Sequence, residues 1–146
     1  MDRSRIRPIV ICLFRRGKRI LVSEAHDSTK NDRYCRPIGG GVEFGEHSRD
    51  AMLREIQEEL GTSDVKNLKL VGVLESIFHY EGGAGHEIVF VYDAEFCDER
   101  IYEKNEVEGY ESGIDTRFTA NWRSPEELEQ MQIRLVPEGL VELLSA

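Results

Sequence analysis

Short apolar runs and alternating apolar and polar positions cover much of the chain, a pattern typical of β-strands. The pattern predicts strands or extended segments over residues 6–14, 19–24, 34–42, 68–80, 86–96 and 117–122. Arg16-Gly17-Lys18 and the glycine-rich residues 81–85 are predicted to be turns between neighbouring strands. The polar segments 25–32 and 98–116 lack the pattern, so they are predicted to be surface loops.

Three segments are predicted to be helices, over about residues 47–60, from Ser124 onward and over about residues 137–144. Gly61 is suited to end the first helix, and Ser124-Pro125-Glu126-Glu127 has the residue types of a helix start. Strands on both sides of one helix, followed by C-terminal helices, predict an α/β fold with a mixed central sheet covered on both faces. The length of 146 residues suits a single domain over residues 1–146.

The first helix has two chemically different faces. Glu55, Glu58 and Glu59 lie three and four positions apart, which places their side chains within an arc of roughly 100°. Leu53, Ile56 and Leu60 form a separate arc that can pack into a core. Like charges at this spacing destabilise a helix, whereas a divalent cation with oxygen ligands would reverse that effect. The alternative is a solvated, glutamate-rich helix surface.

A longer motif surrounds these carboxylates. Residues 40–62 read GGVEFGEHSRDAMLREIQEELGT and follow the pattern G-x5-E-x7-R-E-U-x-E-E-x-G-U, where U is a bulky aliphatic residue. Only Thr62 departs from it. The segment resembles the signature of the Nudix (MutT-like) hydrolase family, and Trp122 followed by Glu126-Glu127-Leu128 resembles a second, less specific family feature. The resemblance implies a Nudix-type α/β/α sandwich and hydrolysis of nucleoside diphosphates linked to another group.

The resemblance also implies a metal site. Glu55, Glu58 and Glu59, with the Gly40 carbonyl, would bind Mg²⁺ or Mn²⁺. Arg54 would orient these carboxylates, although it could also be a simple i,i+4 partner of Glu58. Glu46 matches a fixed position of the motif, and we interpret it as support for the loop and the helix N-terminus.

The general base is less closely defined. The family uses either a glutamate of the motif or one from a loop outside it. The acidic segment 98–116 offers four carboxylates as candidates, namely Glu106, Glu108, Glu111 and Asp115. We favour Glu111, because the family often brings a fourth carboxylate in before its last core strand. The alternative is an acidic loop with no role beyond solvation.

Residues outside the motif are candidates for contacts with substrate. Arg33 and Arg36 precede the glycine turn and could bind phosphates, because guanidinium groups bind them bidentately. Four aromatic residues could stack on a nucleobase, namely Tyr34, Phe78, Tyr80 and Trp122. Phe78 and Tyr80 are preferred, and a tyrosine near position 80 resembles family members that cleave dinucleoside polyphosphates.

Two departures from the family pattern affect the substrate side of the turn. Ile38 stands where the family usually has proline, with Pro37 one position earlier, and Phe44 occupies another common proline position. These differences concern specificity more than metal binding.

Composition limits the partners. A net charge of −9 argues against a nucleic-acid partner, since such affinity comes from clustered lysine and arginine. The apolar run of residues 9–14 is too short for a signal peptide or a membrane span. Three widely spaced cysteines belong to no metal or redox motif, so they are predicted to be buried residues in a reducing, cytoplasmic compartment. An exposed strand edge would let two copies form a homodimer.

Three function classes remain open at this point. The first is an enzyme that cleaves a pyrophosphate link by attack of water, with ADP-ribose, dinucleoside polyphosphates, nucleoside triphosphates and nucleotide sugars as candidate substrates. The second is a non-catalytic Nudix-fold domain that senses a nucleotide. The third, a Ca²⁺-binding module, lacks the alternating oxygen ligands of an EF-hand loop. All three helical carboxylates of the motif are present, which favours the enzyme.

Overall fold

A computed structural model describes residues 5–111 and 116–145 of the chain. The strands are β1 (Ile6–Arg16), β2 (Arg19–Asp27), β3 (Asp32–Gly41), β4 (Val65–Tyr80), β5 (Gly83–Phe96), β6 (Glu106–Glu111), β7 (Thr116–Arg123) and β8 (Arg134–Leu135). The helices are α1 (Ser48–Leu60), α2 (Pro125–Met131) and α3 (Leu140–Leu144), with a 3₁₀ turn over Glu99–Glu103.

All eight strands belong to one continuous sheet. Seven of them follow the order β4-β5-β1-β3-β2-β7-β6, and the short β8 pairs with β3. β1 and β5 run parallel, as do β3 and β8, whereas the other pairs are antiparallel. The sheet is therefore mixed, as predicted.

The sheet has a hydrophobic core on each face. β1 is apolar throughout its centre, and its successive side chains enter opposite cores. Val10, Cys12 and Phe14 pack in one cluster with Ala51, Met52 and Ile56 of α1. Ile9, Ile11 and Leu13 pack in the other cluster with Leu128 of α2 and Leu140 of α3. Helices thus cover both faces, which confirms the predicted α/β/α sandwich.

The helix ends follow the predicted chemistry. Gly61 has a left-handed φ of 72°, and its N–H donates to the Gln57 carbonyl at 2.9 Å, so it ends α1 as predicted. Ser124 and Glu127 form the reciprocal hydrogen bonds of a capping box at the start of α2. The last helix is shorter than predicted, because it begins after Gly139, whose φ of 91° is not helical.

The acidic segment 98–116 was predicted to be a loop, and this prediction is wrong. It contains the 3₁₀ turn and β6, which pairs antiparallel with β7. Within β6 the residues Val107 and Gly109 are buried, while Glu106, Glu108 and Tyr110 are exposed. The alternation of a strand is therefore present, but its outward positions are so acidic that composition concealed it.

The ends of two hairpins are joined at the rim of the sheet. The Asp27 carboxylate, at the end of β2, accepts hydrogen bonds from the N–H groups of Thr29 at 3.0 Å and Glu81 at 3.2 Å. The Glu81 carboxylate in turn accepts the N–H of Ser28 at 3.1 Å and its hydroxyl at 2.7 Å. The turn between β4 and β5 is thereby tied to the loop between β2 and β3.

The cysteines match their prediction only in part. Cys12 and Cys35 are buried, whereas Cys97 follows β5 and is exposed. None of the three forms a disulfide. Within residues 5–111 and 116–145, no helix has the length and apolar character needed to cross a membrane.

Candidate active site

Arg54 is the centre of the motif. Its Nε and Nη2 atoms donate to both carboxylate oxygens of Glu46, at 2.8 and 2.9 Å. Nη2 also donates to the Gly41 carbonyl at 2.9 Å. Nη1 donates to Glu55 at 2.9 Å and, at 3.3 Å, to Glu58 on the next turn of α1. One guanidinium therefore joins the end of β3, the loop after it and two carboxylates of the helix. The prediction of a glycine turn here is wrong, because Gly39, Gly40 and Gly41 are the last residues of β3 and pair with β1.

Glu46 is committed to this network. Its carboxylate accepts the bidentate pair from Arg54 and also the N–H of Glu43 at 3.1 Å. The Arg54 hydrogen bonds, and then the Glu43 N–H, lower the pKa of Glu46 to about 2. Glu46 is thus a charged anchor that orients Arg54 and the loop before α1.

Glu55 lies against the main chain of Gly40, near the end of β3. A Cβ atom on Gly40 would stand 2.5 Å from each carboxylate oxygen of Glu55. Only glycine lets this carboxylate approach the main chain so closely. Glu55 is buried, and this burial raises its pKa, while the Arg54 cation acts in the opposite direction.

Glu59 is the most perturbed acid of the site. It is buried, and its Oε2 atom has no hydrogen-bond partner among the described residues. Burial raises the pKa of Glu59 to about 9, and the negative charges of Glu111 and Glu55 add to the effect. Without a cation, Glu59 is therefore protonated at neutral pH.

Glu58 occupies a different position from its two neighbours. It is exposed on α1, and its described contact is the ion pair with Arg54. Gly40, Glu55 and Glu59 line a cleft between α1 and the β4–β5 hairpin, whereas Glu58 does not line it.

The four candidate bases are separated by the geometry of β6. Glu106 and Glu108 point outward from the exposed face, while Glu111 lies on the buried side, at the end of the strand and in the cleft lining. Its charge reaches both Glu55 and Glu59. Asp115 lies outside the described residues.

A cleft of about 730 Å³ extends from Gly39, Gly40 and Gly41 of β3 to the hairpin of β4 and β5. Of the predicted substrate contacts, Arg36, Phe78, Tyr80 and Tyr34 line it. Tyr34 and Tyr80 meet edge to face, with ring centroids 6.0 Å apart. The two residues that stand at usual proline positions differ in burial. Ile38 is buried beside the cleft, whereas Phe44 is fully exposed.

Two predicted contacts lie elsewhere. Arg33 is outside the cleft, because it lies three residues from Arg36 along β3 and therefore points to the opposite face of the strand. It forms an ion pair with Glu24 at 2.7 Å. Trp122 is buried in the core, stacked on Tyr102 with Arg16 on its ring, so it has no face available to a base.

Several cleft residues were missed by the sequence interpretation. Arg7, Ser76, Glu87 and Phe118 all line the cleft. Phe118 lies over Gly109 of the neighbouring strand, and Phe78 lies over Gly85 in the same way, since a Cβ on either glycine would collide with the ring. These pairs depend on strand register, for which the sequence offers no local signal.

The donor atoms suit a hard divalent cation, although the side chains do not converge on one point. No group of three or more potential metal ligands is gathered within the described part of the chain. Arg54 holds Glu55 and Glu58 to one side. However, the unpartnered Glu59 oxygen and the Glu55 carboxylate against Gly40 are oxygen donors of the kind that Mg²⁺ and Mn²⁺ prefer.

Comparisons with known proteins agree on one family. The NUDIX domain model matches residues 4–144. A MutT NUDIX hydrolase from Burkholderia pseudomallei is 21% identical with a TM-score of 0.62, and the match covers 97% of both chains. A MutT protein from Methanosarcina mazei Go1 is 18% identical with a TM-score of 0.63, over 99% of this chain and 94% of that one. No curated protein sequence matches the chain. At these identities the structures establish the fold alone.

The adjacent glycines allow stability and metal binding to be separated. In Gly40→Ala the three atoms nearest to the new methyl all belong to the end of the Glu55 side chain, so we expect the melting temperature to change little and the Mn²⁺ affinity to fall about 10–100-fold. In Gly39→Ala the methyl would collide with the Val10 carbonyl of β1, so unfolding should become easier by about 1–3 kcal/mol. Thermal melts and Mn²⁺ titrations of both variants check this. Equal destabilisation by the two substitutions would contradict it.

Glu59 predicts a specific pH dependence of stability in chelator. Because its folded pKa of about 9 exceeds the ordinary value of 4.5, the folded state holds a proton that the unfolded state has lost between these values. Stability should therefore fall as pH rises from about 5 to about 9. Thermal melts at several pH values should show this decline in the wild type and a weaker decline in Glu59→Gln. Parallel curves for the two proteins would refute the assignment.

Proposed function

This chain belongs to the Nudix hydrolase family, and we propose that it is a divalent-metal-dependent enzyme that cleaves the pyrophosphate link of a nucleoside diphosphate derivative. The observation that carries the proposal is the buried, unpartnered Glu59 oxygen, which lines the same cleft as Glu55, Glu111 and Gly40. A protein that needed these acids only for its fold would not leave a buried carboxylate oxygen without a hydrogen-bond donor.

Glu55, Glu58 and Glu59, with the Gly40 carbonyl, would hold Mg²⁺ or Mn²⁺. Glu55 and Glu59 already line the cleft, whereas Glu58 would have to leave its ion pair with Arg54 to join them. When bound, such an ion supplies neutralising charge to the phosphoryl oxygens and makes water more acidic. Arg54 keeps the carboxylates of α1 in place through its bond to Glu46. The raised pKa of Glu59 implies that cation binding displaces a proton from its carboxyl group.

Glu111 is our candidate for the base that takes the proton of the attacking water. It reaches the cleft from β6, on the wall next to α1, and its charge acts on Glu59 and Glu55. A glutamate of the motif itself remains the alternative. The products would be a nucleoside phosphate and a second phosphorylated compound.

Arg36 is suited to bind the phosphates of the substrate. It lines the cleft, and its positive charge opposes the rise that burial causes in the pKa of Glu59 and of Glu87. Among the described residues it forms no ion pair, which leaves its guanidinium accessible to an anion. The rings of Phe78, Tyr80 and Tyr34 supply aromatic surface for the base.

We also propose a single cytoplasmic domain that acts on small nucleotides rather than nucleic acids, in keeping with the net charge of −9. The outer strand β4 exposes Leu70, Val73 and Ile77, which supports a homodimer formed along this edge. Sedimentation equilibrium would measure its mass, and a monomer at high concentration would remove this part of the proposal.

A substrate panel tests the proposed activity. With Mg²⁺ or Mn²⁺, the wild type should cleave at least one of ADP-ribose, a dinucleoside polyphosphate, a nucleoside triphosphate or a nucleotide sugar. Glu111→Gln should lower kcat by about 10²–10⁴-fold if Glu111 is the base. Glu108→Gln is the matched control, because Glu108 is on the exposed face of the same strand, and it should keep the wild-type rate.

The outcomes separate the function classes. Turnover that chelation abolishes would support the enzyme, and the cleaved compound would identify the leaving group. Binding of nucleotides without turnover of any compound would instead favour the non-catalytic sensing domain.

A further inference from the structure

Glu87 is a carboxylate of the cleft that lies outside the Nudix motif. It stands on β5 in register with Ser76 of β4, and both residues line the cleft. Ser76 is buried, and only 15% of the Glu87 side chain is exposed. A glutamate and a serine therefore form a polar pair on the β4–β5 wall of the cleft.

The Glu87 carboxylate has little compensation for its burial. Arg7 is its ion-pair partner, but the Nη1–Oε2 distance of 3.6 Å is too long for a hydrogen bond. The hydrogen bonds formed by the described residues include none to this carboxylate. Burial raises the pKa of Glu87, against the opposing charges of Arg36 and Arg7. An acceptor held in this state gains by receiving donors from a ligand.

An aromatic surface lies next to the pair. Phe78 is two residues from Ser76 on β4, so it faces the same side of the hairpin. Its ring covers Gly85, the strand partner of Phe78, which fixes the ring in the cleft wall. A stacking surface beside a hydrogen-bond acceptor suits a nucleoside, whose base is flat and whose sugar and base edges carry neutral donors.

The charges also give the bound substrate a direction. A carboxylate repels phosphate, so the pyrophosphate would avoid Glu87 and occupy the end of the cleft near Gly40 and Gly41. Arg7 lies between the two, since its Nη2 atom is 3.8 Å from the position of a Cβ on Gly41 and its Nη1 atom faces Glu87. Arg7 is thus placed where the phosphate and nucleoside parts of a ligand would join.

We propose that Glu87 and Ser76 form a nucleoside-recognition site that binds a pair of neutral hydrogen-bond donors beside the Phe78 ring. The donors are either vicinal sugar hydroxyls or the amino edge of a purine. The inference rests on the proposed function for the identity of the substrate, but it concerns specificity rather than bond cleavage.

Equilibrium binding of nucleoside monophosphates in chelator tests the site without turnover. The probes are AMP and dAMP, which differ in a sugar hydroxyl, and GMP and IMP, which differ in an amino group. We expect the wild type to prefer the compound with the extra donor in at least one pair by about tenfold or more. Glu87→Gln should reduce that preference to within about threefold, because one acceptor oxygen becomes a donor.

Two further variants keep the test decisive. Ser76→Ala should weaken the same preference, which guards against a folding defect of Glu87→Gln. Glu75→Gln should leave it unchanged, because Glu75 is the neighbouring residue on the exposed side of β4. Loss of the AMP preference would assign the site to the sugar, and loss of the GMP preference to the base.

Preferences that survive both Glu87→Gln and Ser76→Ala would overturn the inference, as would a wild type that binds the paired compounds equally. Turnover of the substrate panel is measured separately. An active enzyme with unchanged preferences would refute this site alone, whereas nucleotide binding without turnover would refute the proposed activity alone.

Discussion

The candidate site depends on one cation inside an acidic protein. Arg54 neutralises Glu46 and contacts Glu55, Glu58 and the Gly41 carbonyl, so a single guanidinium holds the loop, the end of β3 and the helix together. These hydrogen bonds raise the pKa of Arg54 above its usual range, and those to Glu46 have the largest effect. A lysine could carry the charge but not this planar set of contacts. Without Arg54, the carboxylates of α1 would repel one another and separate.

Two walls of the cleft each carry a glutamate whose pKa is raised by burial, namely Glu59 on α1 and Glu87 on β5. On α1, burial of Glu59 favours a neutral carboxyl, and a divalent cation would restore its charge. On β5, partial burial also raises the pKa of Glu87, and the charges of Arg36 and Arg7 oppose that rise. The positive charge of Arg36 acts on the carboxyl groups of both acids. Burial of either carboxyl group lowers the stability of the protein without ligands. We propose that the metal compensates for Glu59 and the substrate for Glu87.

The sequence predicted best what depends on local spacing. The carboxylate face of α1 follows from helical periodicity, and the α2 start follows from its capping residues. Properties set by distant partners were less accessible. β6 was taken for a loop because only its pairing with β7 identifies it as a strand, and Arg33 was grouped with Arg36 although their opposite faces depend on the extent of β3. Glu87 and Phe118 were missed because register alone brings them into the cleft.

Direct measurement of Mn²⁺ affinity by electron paramagnetic resonance tests the central claim that Arg54 prepares the carboxylates for a cation. Arg54→Lys keeps the charge but removes the planar contacts, so we expect Mn²⁺ to bind about 10–100-fold more weakly. Arg49→Lys is the control, because Arg49 lies on the same helix and contacts only the Leu68 carbonyl in the described structure, and its affinity should equal that of the wild type. Unchanged Mn²⁺ affinity in a folded Arg54→Lys protein would show that Arg54 does not position the carboxylates for the cation.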